Sequence, residues 1–200
     1  MMKRLLYGFA LMFATTIATP VWAQMAPDAL VKSTVDRVLE VLRQDKSAQE
    51  LRQLAEEIVL PHFDFERMTR LAVGRPWQDA DQAQRDALVK AFRRLLVNTY
   101  SVALDEGGKP ADRLDVKSPQ GSGDQVTVQS IAHRSGRPPV VVDYRLAKAA
   151  DAWKVYDVVV EGVSLVQTYR TTFSTEIARS GIDGLIKVLE GRAASPARPS

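Results

Sequence analysis

Apolar residues recur every three or four positions through the first half of the chain. This spacing predicts amphipathic helices, because residues three and four apart share one face of a helix. The first helix is expected from Pro27 to Gln44. A second helix should begin after Ser47, which forms a capping box with Glu50, and should end at Pro61. The N-terminal half is therefore expected to be helical.

Two further helices follow. Asp64 can cap a short third helix that closes at Gly74, and Asp79 with Gln82 opens the longest helix of the chain, which runs to about residue 105. One side of this long helix is apolar and aromatic. That side comprises Leu88, Phe92, Leu95, Leu96, Thr99, Tyr100 and Ala103. Two interpretations of this stripe stay open, since such a face is typical of a protein core and part of it could instead line a cavity.

After Arg113 the pattern changes to alternation of apolar and polar residues, which is typical of strands with one buried face. Turn residues separate these strands at 119–124 and at 134–139. Short turns between neighbouring strands predict an antiparallel meander. The meander leads into an apolar stretch that starts at Trp153 and is interrupted only at Asp157, so this stretch is expected to be a central strand.

The C-terminal part returns to helical spacing. Ser164 can cap a helix, Gly181 should break it, and Asp183 can cap a last short helix. Helices, a meander and helices again predict an α+β fold, in which helices pack on one face of a curled antiparallel sheet. We expect a single domain over residues 24–190 and a disordered tail over 191–200, which is rich in small residues and proline.

The first 23 residues have the composition of a cleaved signal peptide. Lys3 and Arg4 form a positive start, an apolar run follows to Ile17, and small residues precede Ala23. The run is shorter than the roughly 20 apolar residues of a membrane-spanning helix. Cleavage is therefore expected after Ala23, with export to a compartment such as the bacterial periplasm.

Composition excludes several classes of site. The chain contains no cysteine, which rules out disulfides, thiolate metal sites, a cysteine nucleophile and an acylated N-terminal cysteine. Removing the signal peptide takes Lys3 and Arg4 from 27 basic residues and leaves 25 against 24 acidic ones. The two signs are mixed along the chain, so no continuous basic surface for nucleic acid is expected.

Catalytic and metal-binding signatures are sparse. His62 and His133 have no second ligand at zinc spacing, and neither a glycine-rich phosphate loop nor a nucleophile elbow occurs. Asp143 and Asp157 each interrupt an apolar strand. A buried acid in an apolar pocket can act as a general base, although a hydrogen-bonded or solvent-facing strand residue is the simpler interpretation.

Short motifs lie in a fixed order along most of the chain, from about Leu30 to Leu189. They are Leu60-Pro-His-Phe-Asp64, Gln84-Arg85 leading to Phe92 and Tyr100, Gly136-Arg-Pro-Pro-Val140, Trp153 with Tyr156-Asp157, Glu161-Gly-Val-Ser-Leu165 and Gly181-Ile-Asp-Gly-Leu185. In this order and spacing they resemble the MlaC family, also called the toluene-tolerance auxiliary proteins. The resemblance implies a fold similar to the nuclear-transport-factor-2 cone and the function of a periplasmic phospholipid carrier.

The resemblance also implies partners and a lack of catalysis. Family members shuttle phospholipid between an outer-membrane lipoprotein–porin complex and an inner-membrane ABC transporter that carries a ring of lipid-binding domains. No cofactor is implied beyond the phospholipid cargo, and no metal or catalytic residue. We place the lipid pocket, as a hypothesis, between the long helix and the meander. Its predicted lining is drawn from Phe92, Leu96, Tyr100, Val142, Tyr144, Val158, Leu165 and Tyr169.

Alternatives remain at this point. The pocket could hold another apolar ligand, such as a sterol-like lipid or a free fatty acid, or it could be the active site of an isomerase or hydrolase that uses Asp143 or Asp157. Arg137 could meet a lipid phosphate at the pocket mouth. A solvated turn residue is the simpler interpretation of that arginine.

Overall fold

The computed structural model describes residues 25–44, 46–106, 111–150 and 152–194. The expected signal peptide and residues 195–200 lie outside this part of the chain. Across the described ranges, no helix combines the length and the apolar character that crossing a membrane requires.

Five α-helices are found in the described residues. The second continues into a π-helical turn, which is wider than an α-helix, and then into a 3-10 turn, which is tighter. The helices are α1 Pro27–Leu42, α2 Ala48–Leu54 with a π-helical turn Ala55–Val59 and a 3-10 turn Leu60–His62, α3 Phe65–Val73, α4 Gln82–Glu106 and α5 Leu165–Ala194; a second 3-10 turn covers Arg75–Gln78. The capping box predicted at α2 is confirmed, because the Ser47 hydroxyl accepts from the backbone N–H of Glu50 and the Glu50 carboxylate accepts from the Ser47 N–H. Local chemistry thus fixes where α2 begins.

Helix α5 is broken at Gly181, as predicted. Gly181 has φ 70° and ψ −173°, a backbone conformation that is strained for any residue with a side chain. The two halves fold onto one core, since Phe173 of the first half and Leu189 of the second are both almost fully buried there. The start of the predicted tail is wrong: the helix continues to Ala194, because Ala193 is buried and its carbonyl accepts a hydrogen bond from Asn98 of α4.

The strands form one open sheet in which every pair is antiparallel. They are β1 Arg113–Val116, β2 Gln120–Ser122, β3 Gln125–Arg134, β4 Arg137–Ala149, β5 Ala152–Val160 and β6 Val163–Ser164. The order is β1-β3-β4-β5-β6, with β2 also paired to β3. The predicted α+β fold of helices on an antiparallel meander is confirmed. The finer likeness to the nuclear-transport-factor-2 cone stays a prediction.

A bulge in β5 decides which of its side chains reach the helices. Tyr144 pairs with Val158 and Leu146 pairs with Val155, so Tyr156 is the extra residue. Strict alternation would put Val155 and Val158 on opposite faces. The bulge places them on the same face, where both contact one apolar cluster.

Two apolar clusters hold the helices and the sheet together. The larger one joins α3, α4 and both halves of α5 around Met68, Leu88, Phe92 and Phe173, all of which are almost fully buried. The smaller one packs α1 on the sheet, where Leu30 and Val31 meet residues of β3, β4 and β5. Phe63, before α3, packs against both clusters. The candidate site lies beside this residue.

The surroundings of His62 should make the stability of the fold depend on pH. Burial lowers the pKa of His62, and the positive charges of Lys154 on β5 and Arg37 on α1 lower it further. The pKa of this histidine is lower in the folded protein than its value of 6.5 in the unfolded chain. The unfolded chain therefore binds the proton more readily, so stability is unaffected above pH 6.5 and falls as the pH decreases below it. We expect the free energy of unfolding to decline below about pH 6.5, and to decline less in a His62→Gln variant. Urea unfolding at pH 7.5 and 5.5 tests this, and parallel declines in the two proteins would contradict it.

Candidate functional site

An apolar cavity of about 810 Å³ lies between α4, the β5–β6 hairpin and α5. The segment from the π-helical turn to α3 closes a further side. Its lining comprises Ala55, Val59, Leu60, Phe63, Phe65, Met68, Leu95, Leu96, Val97, Thr99, Tyr100, Val158, Val160, Val163, Leu165, Thr168, Tyr169, Thr172 and Arg192. The volume falls within the roughly 300–1,000 Å³ of typical small-molecule sites. The site is therefore large enough to enclose a sizeable apolar group.

The mouth of the cavity is marked by exposed apolar side chains. Val163 is 63% exposed, Val160 44% and Tyr100 41%, and all three line the cavity. Large apolar residues usually turn inward, so a cluster of exposed ones around an opening indicates a surface that contacts apolar material. The rim of the mouth is thus formed by the β5–β6 hairpin and by Tyr100 in the C-terminal third of α4.

The apolar stripe on α4 is partly protein core and partly cavity wall, so both interpretations of its sequence apply. Phe92 is fully buried in the core, where its ring meets Tyr169 edge-on at 4.9 Å and Phe173 at 5.1 Å. Leu96, one turn further on, and Tyr100, about two turns further on, line the cavity. The N-terminal part of α4 is therefore core, and its continuation is a cavity wall.

The structure brings together five of the eight residues predicted to contact lipid. Leu96, Tyr100, Val158, Leu165 and Tyr169 all line the cavity. Their contact with a lipid stays a prediction.

The other three predicted residues lie elsewhere. Phe92 packs inside the helical core. Tyr144 packs in the cluster that α1 forms with the sheet. Val142 lies opposite Val160, one strand further from α4. The prediction placed these three at the cavity because their faces are apolar. The structure shows Phe92 and Tyr144 packed in clusters with helices, and Val142 half-buried on β4.

Sequence reasoning missed the wall formed before and within α3. Phe63 and Phe65 stack with ring centroids 5.8 Å apart, and Met68 is fully buried behind them. A parallel bridge between Phe63 and Val155, with the Asp64 N–H donating to the Val155 carbonyl at 2.8 Å, fixes this wall against β5. The sequence did mark Phe63, which belongs to the motif Leu60-Pro-His-Phe-Asp64. A short turn has no periodicity, however, so the sequence does not show which way the Phe63 side chain points.

The polar groups of the cavity are few. Burial raises the pKa of Tyr100 to about 12, with the neighbouring Tyr169 as a second cause. Burial also raises the pKa of Tyr169, while a hydrogen bond with Thr99 and the charge of Arg192 act in the opposite direction. Both phenols are therefore neutral at physiological pH. Arg192 is the one charged side chain in the described lining.

The geometry of the cavity agrees with the comparison to known families. The MlaC protein family matches residues 32–191, which is most of the chain. The chain belongs to the MlaC family. The intermembrane phospholipid transport system binding protein MlaC of Haemophilus influenzae is 23% identical over 182 residues, with 87% of this chain and 85% of the relative covered.

A solved structure of similar shape adds a ligand to the comparison. The phospholipid-binding protein from Ralstonia solanacearum, determined in complex with a phospholipid, matches with a TM-score of 0.78 and 32% identity. The match covers 87% of this chain and 100% of that one. An identity of 32% over this coverage indicates a shared family as well as a shared fold.

The two aspartates considered as general bases in this MlaC-family chain do not line the cavity. Asp157 is only 2% exposed, but its carboxylate accepts from Arg145 at 3.0 Å, from the Ser164 hydroxyl at 2.7 Å and from the Val166 N–H at 3.1 Å. Asp143 accepts from Gln129 at 2.8 Å. Asp157 thus joins β4 and β5 to the start of α5, which is a structural role.

No metal-binding cluster occurs in the described ranges, where no three His, Asp or Glu side chains are close enough together to hold an ion. His133 instead contacts Asp115 at 3.0 Å on the β1–β3 surface, and Arg137 lies exposed at the start of β4. Neither residue is part of the cavity lining. What the MlaC-family cavity presents is apolar surface with one cation.

Proposed function

We propose that the protein binds a phospholipid in the cavity between α4, the β5–β6 hairpin and α5, and carries it between membranes. The observation that supports this most directly is an apolar cavity of about 810 Å³ with an apolar rim, in a fold whose relative was solved with a phospholipid. This function requires binding and release and no catalysis. The apolar character of the lining fits acyl chains and leaves the polar head near the mouth.

The physical need for such a carrier follows from the cost of exposing lipid tails to water. Two acyl chains hold about 30 methylenes, and at about 0.8 kcal/mol each their exposure costs on the order of 24 kcal/mol. Unaided release into water is therefore negligible. An apolar cavity offers an environment comparable to a bilayer interior, so transfer becomes nearly balanced when the cavity mouth meets another apolar path.

Location and partners are part of the same proposal. We place the protein in the periplasm, after removal of residues 1–23, with a single lipid-binding domain that extends at least to Ala194. The relative from Haemophilus influenzae is named for an intermembrane transport system. By that kinship, the partners of this chain are an outer-membrane lipoprotein–porin complex and an inner-membrane ABC transporter with a ring of lipid-binding domains.

A competition experiment tests the cargo. The purified protein, stripped of lipid by detergent exchange, is incubated with phosphatidylethanolamine vesicles that contain equal amounts of oleic acid and a sterol. After separation from the vesicles, the bound lipid is extracted and identified by mass spectrometry. We expect phosphatidylethanolamine as the main bound species. Predominant oleic acid or sterol would contradict the proposal and favour a carrier of a different apolar ligand.

A further inference from the structure

Arg192 stands out among the residues around the cavity because it carries charge. The other described lining residues are apolar or are neutral threonine and tyrosine side chains. Arg192 is exposed near the end of α5, so its guanidinium is at the boundary between the cavity and solvent. A cation at the rim of an apolar cavity favours a ligand with an apolar body and an anionic end.

The position of Arg192 is fixed by the packing of its helix. Leu189 and Ala193, on either side of it, are 1% and 3% exposed. The Ala193 carbonyl accepts a hydrogen bond from the Asn98 side chain of α4, which also provides a cavity wall. The break at Gly181 returns this end of α5 to the cavity, where the charge of Arg192 reaches Tyr169.

The guanidinium of Arg192 is also available to a ligand. Among the described residues, no carboxylate lies within ion-pair distance of it. Glu176 is the acid whose charge it senses, but Glu176 pairs with Arg179 at 2.6 Å and accepts a hydrogen bond from Ser180. The planar fork of an arginine matches two oxygens of a phosphate group.

We infer that Arg192 binds the phosphate group of the lipid while the acyl chains occupy the apolar cavity. This inference rests on the proposed function and adds a head-group contact to it. Phosphate is the feature that all glycerophospholipids share, whatever group is attached to it. A single arginine at the rim therefore selects phospholipids as a class and leaves the rest of the head group in water.

The test compares two lipids that differ in phosphate and share their acyl chains. Lipid-stripped protein is incubated with vesicles of equal parts dioleoyl phosphatidylglycerol and dioleoylglycerol, and the bound lipids are quantified by mass spectrometry. In the wild type we expect phosphatidylglycerol to be enriched about fivefold over the donor ratio, the upper end of what an exposed charge pair contributes. The Arg192→Gln variant should bind the same total lipid near the donor ratio. Arg192→Lys should fall between them, because it keeps the charge without the fork.

Lys187→Gln is the matched control, since Lys187 is exposed on the same half of α5 and does not line the cavity. It should keep the wild-type enrichment. Equal enrichment in Arg192→Gln and Lys187→Gln would overturn the inference, while a wild type that takes up neither lipid would contradict the proposed function itself. Excess inorganic phosphate should lower the wild-type enrichment without changing the total bound lipid, because it competes for the same guanidinium. If the wild type shows no enrichment in the absence of added phosphate and yet binds inorganic phosphate in an Arg192-dependent way, the site binds free phosphate and the assignment to a lipid head group is wrong.

Discussion

Replacing Leu96 or Val158 with glutamate is expected to reduce bound phospholipid to less than a tenth of the wild-type amount. Leu96 on α4 and Val158 on β5 line two different walls of the cavity. An ionised carboxylate facing an acyl chain loses its hydration without gaining a partner, which costs several kcal/mol. Each 1.4 kcal/mol lowers affinity about tenfold. Lipid extraction and mass spectrometry of each variant measure the loss.

The control for these variants is Lys90→Glu, which changes an exposed residue on α4 outside the cavity and should leave lipid binding intact. Thermal unfolding followed by circular dichroism shows whether each variant is folded. Leu96 is only 6% exposed and Val158 is half-buried, so Val158→Glu is the variant less liable to unfold. Full lipid content in both variants, each folded, would contradict the assignment of the cavity.

Replacing Asp157 with alanine is expected to destabilise the fold by about 2–3 kcal/mol. The change leaves the Val166 N–H at the start of α5 and the Ser164 hydroxyl without their acceptor, and each unsatisfied donor in a buried position costs about 1–3 kcal/mol. The ion pair with Arg145 contributes less, because the Arg145 side chain is 46% exposed. Urea unfolding measures the free energy of each variant.

Asp143→Ala provides the comparison. Asp143 is half-buried and accepts one side-chain hydrogen bond, from Gln129 at 2.8 Å, so its removal should cost no more than about 1 kcal/mol. Equal losses in the two variants would show that Asp157 does not connect the sheet to α5 in the way described. The comparison also separates a structural acid from a catalytic one, since the expected loss is in stability.

Sequence predicted the start of α2 and both ends of α3 well, because local chemistry sets them. Ser47 and Glu50 form their capping box within four residues, and the Asp64 side chain accepts from the Arg67 N–H at 2.9 Å. Gly74 ends α3 with φ 73°. These features depend on neighbours in the chain, so no knowledge of the tertiary structure is needed to predict them.

The division of apolar residues between core and cavity could not be predicted in the same way. Phe92 and Leu96 lie one turn apart on α4, yet rings of α5 pack against Phe92 while Leu96 lines the cavity. Tyr144 and Val158 are cross-strand partners, yet Tyr144 packs under α1 while Val158 also lines the cavity. Such differences arise from contacts between elements distant in sequence, which periodicity does not encode.

Arg192 was missed for a different reason. Its surroundings, Gly191 to Ser200, are small and polar, a composition typical of a disordered tail. The helix persists through Arg192 because Leu189 and Ala193 are buried and because Asn98 of α4 donates a hydrogen bond to the Ala193 carbonyl. Two buried residues within a weak pattern were enough to place a charged side chain at the cavity.

The central claim, that this cavity holds a phospholipid, is tested most directly by native mass spectrometry of the protein purified without detergent. We expect a stoichiometric species whose added mass matches a two-chain phospholipid, and lipid extraction of the same sample should identify it. A protein that is purified empty and also takes up no phospholipid from vesicles would contradict the claim.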